Sequence, residues 1–186
     1  MTARHTPAEC GLVCRDGGVV LYPTEGVWGL GCSPLDEDAV MRILELKARS
    51  VSKGLILIAA SIAQLMPYLD IDAISEDRWD AISDSWPGAN TWVIPASELV
   101  PAYIRGDFDS VAVRVTSHPA VRDMCNSFGG ALVSTSANVA GDPSPLTLAD
   151  VDKSVRHGVD AVCEGETLGS GVASTIRDAL TGDVLR

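Results

Sequence analysis

Short runs of apolar residues recur along this chain, and stretches with helical start and stop signals lie between them. The runs are "VVLYP" (19–23), "GLILIAA" (54–60), "TWVIPA" (91–96), "VAVRVT" (111–116), "ALVST" (131–135) and "VDAVC" (159–163), followed by the more polar "ASTIRD" (173–178). A run of this length that is apolar nearly throughout reads as a strand buried within a sheet. Thr6-Pro7-Ala8-Glu9 is a capping box with proline at the first helical position, and Gly17-Gly18 ends that helix. Ser33 and Asp36 are candidate caps for a helix whose apolar face is Val40, Ile43 and Leu44 and which ends near Lys47. Ser61 with Gln64 caps a short helix, residues 75–85 are helical, "HPAVRDMCNSFG" is a helix ended by Gly129, and Thr147 with Asp150 begins another. Several strands are joined by segments too short for a right-handed crossover, so a purely parallel sheet is excluded. The expected fold is α/β: one domain, residues 1–186, built on a twisted mixed sheet.

Length and composition agree with that reading. The chain's 186 residues, 46% of them hydrophobic, suffice for one sizeable core, and no repeat or linker marks a boundary. No run of about 18 apolar residues occurs and the N-terminus lacks an apolar signal core, so the expected location is the cytoplasm, with no membrane partner. The five cysteines form no CxxC pair and read as small buried hydrophobes, while His5, His118 and His157 lack ligand spacing. No protein-held metal is expected. A net charge of −11 repels polyphosphate backbones, so direct RNA binding should be weak or absent.

The scarce positive charge is unevenly placed. Of only three lysines, Lys47 and Lys53 bracket Arg49 in "KARSVSKGLILIA" (47–59). Cations at a helix C-terminus are favoured by the macrodipole, which accounts for Lys47. It does not account for Lys53, and all three groups pointing into one cleft would make an anion site. "VSTSANVAGDPSP" (133–145) crowds hydroxyls and amides at the end of a strand, where α/β sheets bind ligands, although turn chemistry uses the same residues. In "YPTEGVWGLG" (22–31) a strand ends in Pro-Thr-Glu, and Gly26, Gly29 and Gly31 either admit a ligand close to the backbone or merely turn the chain. Arg114, inside an apolar alternation, needs an anion: a carboxylate of the protein or a ligand phosphate. Walker, dinucleotide-binding, nucleophile-elbow and kinase signatures are all missing.

Taken in order, "YPTEGVWGLGC", "MRILELKARSVSKGLILIA", "WPGANTWVIPA", "SVAVRVTSHP", "STSANVAGDPSP" and "STIRDALTG" resemble the YrdC/Sua5 family over about residues 17–186. The resemblance implies a mixed sheet with helices around a concave cleft. It also implies ATP-dependent condensation of L-threonine with bicarbonate to threonylcarbamoyl-adenylate and pyrophosphate, with Mg2+ accompanying the nucleotide. The product would pass to a threonylcarbamoyl-transferase complex that modifies a tRNA adenosine. By position, the family's KxR element falls on Lys47 and Arg49 as catalytic residues, and threonine recognition on Thr24 with Lys53. Nucleotide contacts fall on Ser110, Arg114, Ser134, Ser136, Asn138, Ser144, Ser174 and Arg186. Both Lys47 and Arg49 are expected to face solvent and ligand. Ser50 and Ala89 stand where the family usually has proline, and the second domain of the longer Sua5 form is not expected. The alternative is a double-stranded-RNA-binding or ribosome-maturation module of the same fold.

Overall fold

The computed structural model describes residues 4–186. Nine strands occur among them: β1 (Arg4–His5), β2 (Val20–Pro23), β3 (Trp28–Gly31), β4 (Ile56–Ala59), β5 (Asn90–Pro95), β6 (Ser110–Val115), β7 (Leu132–Ser136), β8 (Ala161–Cys163) and β9 (Thr175–Asp178). They form one sheet in the order β1-β8-β2-β3-β7-β4-β6-β5-β9. Pairing is parallel at β1/β8, β2/β8, β4/β6 and β5/β9 and antiparallel elsewhere, as the short connections require.

Helices α1 (Pro7–Arg15), α2 (Glu37–Leu46), α3 (Ile62–Leu65), α4 (Glu76–Asp84), α5 (Ala102–Arg105), α6 (Pro119–Phe128) and α7 (Lys153–His157) connect the strands. The Thr6 capping box forms as expected, Asp36 caps α2 by accepting from the Ala39 amide (3.0 Å), and Gly129 ends α6 in the left-handed region at φ 95°. Successive strand residues point to opposite faces, which explains why these runs are apolar throughout. Leu21, Leu57 and Val133 pack with Val40 and Ile43 of α2. Tyr22, Ile58 and Leu132 pack on the other side with Cys10 and Cys14 of α1 and Val121 and Met124 of α6. All five cysteines are free and buried.

Some local expectations are corrected. β3 was not anticipated as a strand: its glycines face Tyr22, where a Cβ on Gly31 would come within 2.8 Å of the ring, so they make room in a buried strand rather than turn the chain. Thr147 and Asp150 do form a capping box, but on a single 3-10 turn, Leu148–Asp150; α7 begins after its own cap, Asp152. Ser61 makes no side-chain cap on α3, and Gln64 instead accepts from the Ala60 amide at 2.8 Å.

Candidate active site

One face of β6 presents Ser110, Ala112 and Arg114, spaced by two as strand geometry demands, and Ile176 and Asp178 of β9 lie on the same cavity of about 550 Å³. The turn after β2 supplies Thr24, Glu25 and Gly26, and Ser136 comes from the end of β7. Arg49 and Lys53 reach it from the loop between α2 and β4. Ser144, Ser174 and Arg186 complete the predicted residues on its wall.

Lys47 is not among the lining residues and is only 3% exposed, so the expectation that it faces solvent and ligand is corrected. It is the C-cap of α2; its ammonium donates to the carbonyls of Ser136 and Asn138, the latter at 2.8 Å, and its own carbonyl accepts from the Ala140 amide at 2.7 Å. Lys47 therefore clamps the loop after β7 from beneath. Burial, with Arg49 adding a smaller repulsion, lowers its pKa to about 8. Lys47 and Arg49 diverge because Ala48 turns the chain at φ 48°, the one positive φ outside glycine among the described residues.

Asn138 and Ser134 also lie off the cavity wall. The Asn138 amide donates to the carbonyls of Val139 and Asp142, both at 2.9 Å, and braces the same loop. Ser134 is 6% exposed within β7, beside the Tyr22 hydroxyl.

Arg49 donates to the Gly54 carbonyl at 3.0 Å and keeps its Nε buried without a partner. Burial, and secondarily Arg186, lowers its pKa. Lys53 has no side-chain partner among the described residues. The Thr24 hydroxyl donates to the Val27 carbonyl at 2.7 Å, closing the turn, and Ser174 shares a 2.7 Å hydrogen bond with Thr91.

The anion that Arg114 required is Glu25, a residue given no role from sequence. The pair is 2.8 Å apart with both side chains 7% exposed, and Glu25 also accepts from the Thr116 hydroxyl (2.7 Å) and the Ser117 amide (2.9 Å). Burial pushes the Glu25 carboxyl up; Arg114 and these donors outweigh it and leave the pKa lowered. The isolated arginine in β6 was the available signal, but nothing local identified its partner 89 positions away. Arg105 and Asp178 also line the cavity and went unread.

The electrostatic result is local. Arg49, Lys53, Arg105, Arg114 and Arg186 all line the cavity, five of the chain's 14 basic residues, against only Glu25 and Asp178. Glu25 is already neutralised by Arg114, so the cavity is cationic inside an acidic protein. With several hydroxyls on its wall and neither histidine nor cysteine, it is built to hold and orient anions and to offset charge developing between them.

The family model for Sua5, YciO and YrdC proteins, described as "Telomere recombination", matches residues 13–186. The chain belongs to the Sua5/YciO/YrdC family. A relative from Vibrio campbellii named threonylcarbamoyl-AMP synthase is 49% identical over 172 residues, 92% of this chain and 93% of its own. One of the same name from Xanthomonas campestris is 44% identical over 185 residues, 98% of each. Among solved members, a P. abyssi Sua5 variant superposes with a TM-score of 0.89 at 34% identity, over 97% of this chain and 55% of that one. P. abyssi Sua5 complexed with L-threonine gives 0.84 at 33% identity, over 95% of this chain and 52% of its own. The chain thus spans about half the length of these Sua5 proteins. E. coli YciO, at 22% identity and a TM-score of 0.84, shares the fold.

Proposed function

We infer that this chain is an L-threonylcarbamoyladenylate synthase, which converts L-threonine, bicarbonate and ATP to threonylcarbamoyl-AMP and pyrophosphate. The observation that carries this reading is a cationic, hydroxyl-lined cavity in a chain that matches synthases over nearly its full length. The threonine amine bonds to the carbon of CO2 derived from bicarbonate and loses a proton, giving a carbamate. A carbamate oxygen then attacks the α-phosphorus, and the bond to the bridging oxygen breaks with its electron pair leaving on pyrophosphate. Nucleophile and electrophile are both anionic, so the barrier is charge repulsion, which fixed cations reduce without a general base.

In this reading Thr24 and Lys53 hold threonine, and Ser110, Arg114, Ser136, Ser144, Ser174 and Arg186 hold the nucleotide. Arg49 supplies the positive charge that offsets repulsion between the reacting groups. Lys47, Asn138 and Ser134 shape the wall without touching substrate. ATP enters as its magnesium complex; the ion's role would be to offset phosphate charge. The product passes to a transferase complex acting on tRNA in the cytoplasm. No helix among the described residues is long and apolar enough to cross a membrane.

The test is incubation with ATP, magnesium, L-threonine and bicarbonate, followed by mass spectrometry for the adenylate. Product should vanish when threonine is omitted; ATP cleavage that ignores threonine would overturn the reading. As an RNA-binding module the chain would instead retain duplex RNA at physiological salt. The net charge of −11 opposes that.

A further inference from the structure

The segment 164–174 between β8 and β9 has no regular structure and runs along the cavity, which Val172, Ala173 and Ser174 help to line. Its outer side chains Leu168 and Val172 are 56% and 65% exposed, and Gly165, Gly169 and Gly171 all have positive φ (119°, 83° and 67°). Such a strap has little rigidity of its own. It lies directly on the turn that carries Thr24: a Cβ on Gly26 would overlap the Val172 carbonyl oxygen.

The tethers of Glu166, Leu168 and Ser170, in the middle of the strap, converge on one network. The Leu168 amide donates to the Thr24 carbonyl (3.4 Å), and the Ser170 amide and hydroxyl donate to the Glu25 carbonyl (3.3 and 3.1 Å). Thr167 donates to the Leu146 carbonyl at 3.3 Å. The ends of the strap are fixed by the Glu164 amide on the His5 carbonyl (2.8 Å) and by Ser174 on Thr91 (2.7 Å); between them the shortest tether is His118, whose Nε2 lies 3.0 Å from the Glu166 carbonyl oxygen. A carbonyl only accepts, so Nε2 carries the proton. Nδ1 is buried without a partner, which leaves the strap as the ring's one hydrogen-bond contact. His118 is 4% exposed and held from behind: its amide donates to Thr116 Oγ1 (3.0 Å), and Thr116 donates to the Glu25 carboxylate. Glu25 thus organises the 116–118 loop through its side chain and receives the strap through its backbone, and His118 joins the two.

We infer that His118 is a positioning residue, which anchors the 164–174 strap across the cavity between the Thr24 turn and Ser174 and so sets the wall against which threonine and nucleotide meet. Its kinetic consequence rests on the synthase reading, whereas its structural consequence does not.

Hydrogen exchange on the intact chain tests the anchor directly. In His118→Leu, which keeps apolar bulk but no donor, the Leu168 and Ser170 amides should exchange about fivefold faster, the factor set by one ordinary hydrogen bond. Amides of β4 and β6 should not change. His118→Gln, whose amide can donate to Glu166, should restore most of the protection. With activity measured alongside, the leucine variant should raise KM for L-threonine severalfold with kcat within twofold, and glutamine should reverse this. Unchanged strap exchange in the leucine variant, or equal acceleration in β6, would overturn the anchor. Altered exchange with unaltered KM would overturn its kinetic role. If the wild-type chain makes no adenylate, the synthase reading fails while the exchange result still stands. Should the leucine variant not fold, His118→Asn takes its place, because its amide reaches only to where Nδ1 lies and not to the Glu166 carbonyl; strap amides protected there as in the wild type would overturn the anchor.

Discussion

Replacing Lys47 by methionine removes a buried ammonium and leaves the carbonyls of Ser136 and Asn138 without their donor. Two hydrogen bonds to a charged group are together worth about 3–6 kcal/mol. Against this, lowering the pKa from its ordinary 10.5 to about 8 corresponds to a charge-burial cost of about 3 kcal/mol, which methionine does not bear. The net expectation at pH 7 is a loss of up to about 3 kcal/mol, or a Tm lower by up to about 10 °C for a chain of this size. A lysine facing solvent would leave Tm unchanged. The pH dependence sharpens the contrast. Below pH 8 both folded and unfolded wild type carry the proton, so nothing changes. Between about pH 8 and 10.5 the unfolded chain holds the proton that the folded chain has released, so wild-type stability rises with pH. The neutral amine still donates to both carbonyls, and the gap between wild type and Lys47→Met should widen by up to about 3 kcal/mol. Burial raises the Cys14 and Cys125 thiols, which lowers stability at high pH, but both proteins share that term and it cancels in the difference. Denaturant unfolding of the two proteins at pH 7, 8, 9 and 10 measures it. A gap that stays flat or narrows with pH would refute the buried clamp.

Arg49→Lys keeps the charge but loses the planar fork that spans the Gly54 carbonyl and the unpartnered Nε. Adenylate formation should fall at least about tenfold while Tm moves by only a few degrees, and full activity would reduce Arg49 to a simple charge. Glu25→Gln strands the Arg114 guanidinium, and thermal unfolding should show a loss of about 3–5 kcal/mol. Because the Glu25 pKa is lowered from 4.5, its stabilisation is complete above that pH and is lost as pH falls through the folded value. Acid titration should therefore be shallower in the variant; equal slopes would contradict the assignment. Ser50 already has φ −65°, which proline accepts, but its side chain caps the Ser52 amide at 3.2 Å. Proline's gain of about 0.4–1 kcal/mol and the lost cap of about 1 kcal/mol nearly cancel. Calorimetry should find ATP and threonine affinities of Ser50→Pro within about twofold of wild type. Tightening beyond fivefold would mean that backbone restriction outweighs the cap.

The sequence by itself determined most of the strands, most helix ends, the mixed character of the sheet, and the family. These rest on signals carried by neighbours a few positions apart: a capping box at Thr6, a glycine after Phe128, an apolar run at 55–60. It also brought Arg49, Lys53, Arg114, Ser136, Ser174 and Arg186 forward as candidates without any view of how they meet. Only the tertiary structure decided the rest. β3 is a strand because Tyr22 of the neighbouring strand covers its glycines, and local propensity reads glycines as turns. Lys47 and Arg49 are two residues apart, yet one clamps the loop after β7 and the other lines the cavity, because Ala48 reverses the backbone between them. Arg114 meets a protein carboxylate on one side while still lining the cavity, because the turn after β2 folds onto β6 and brings Glu25 within 2.8 Å across 89 residues. Where a side chain points and what neutralises it depend on which faces of the sheet close on each other, and no spacing along the chain records that.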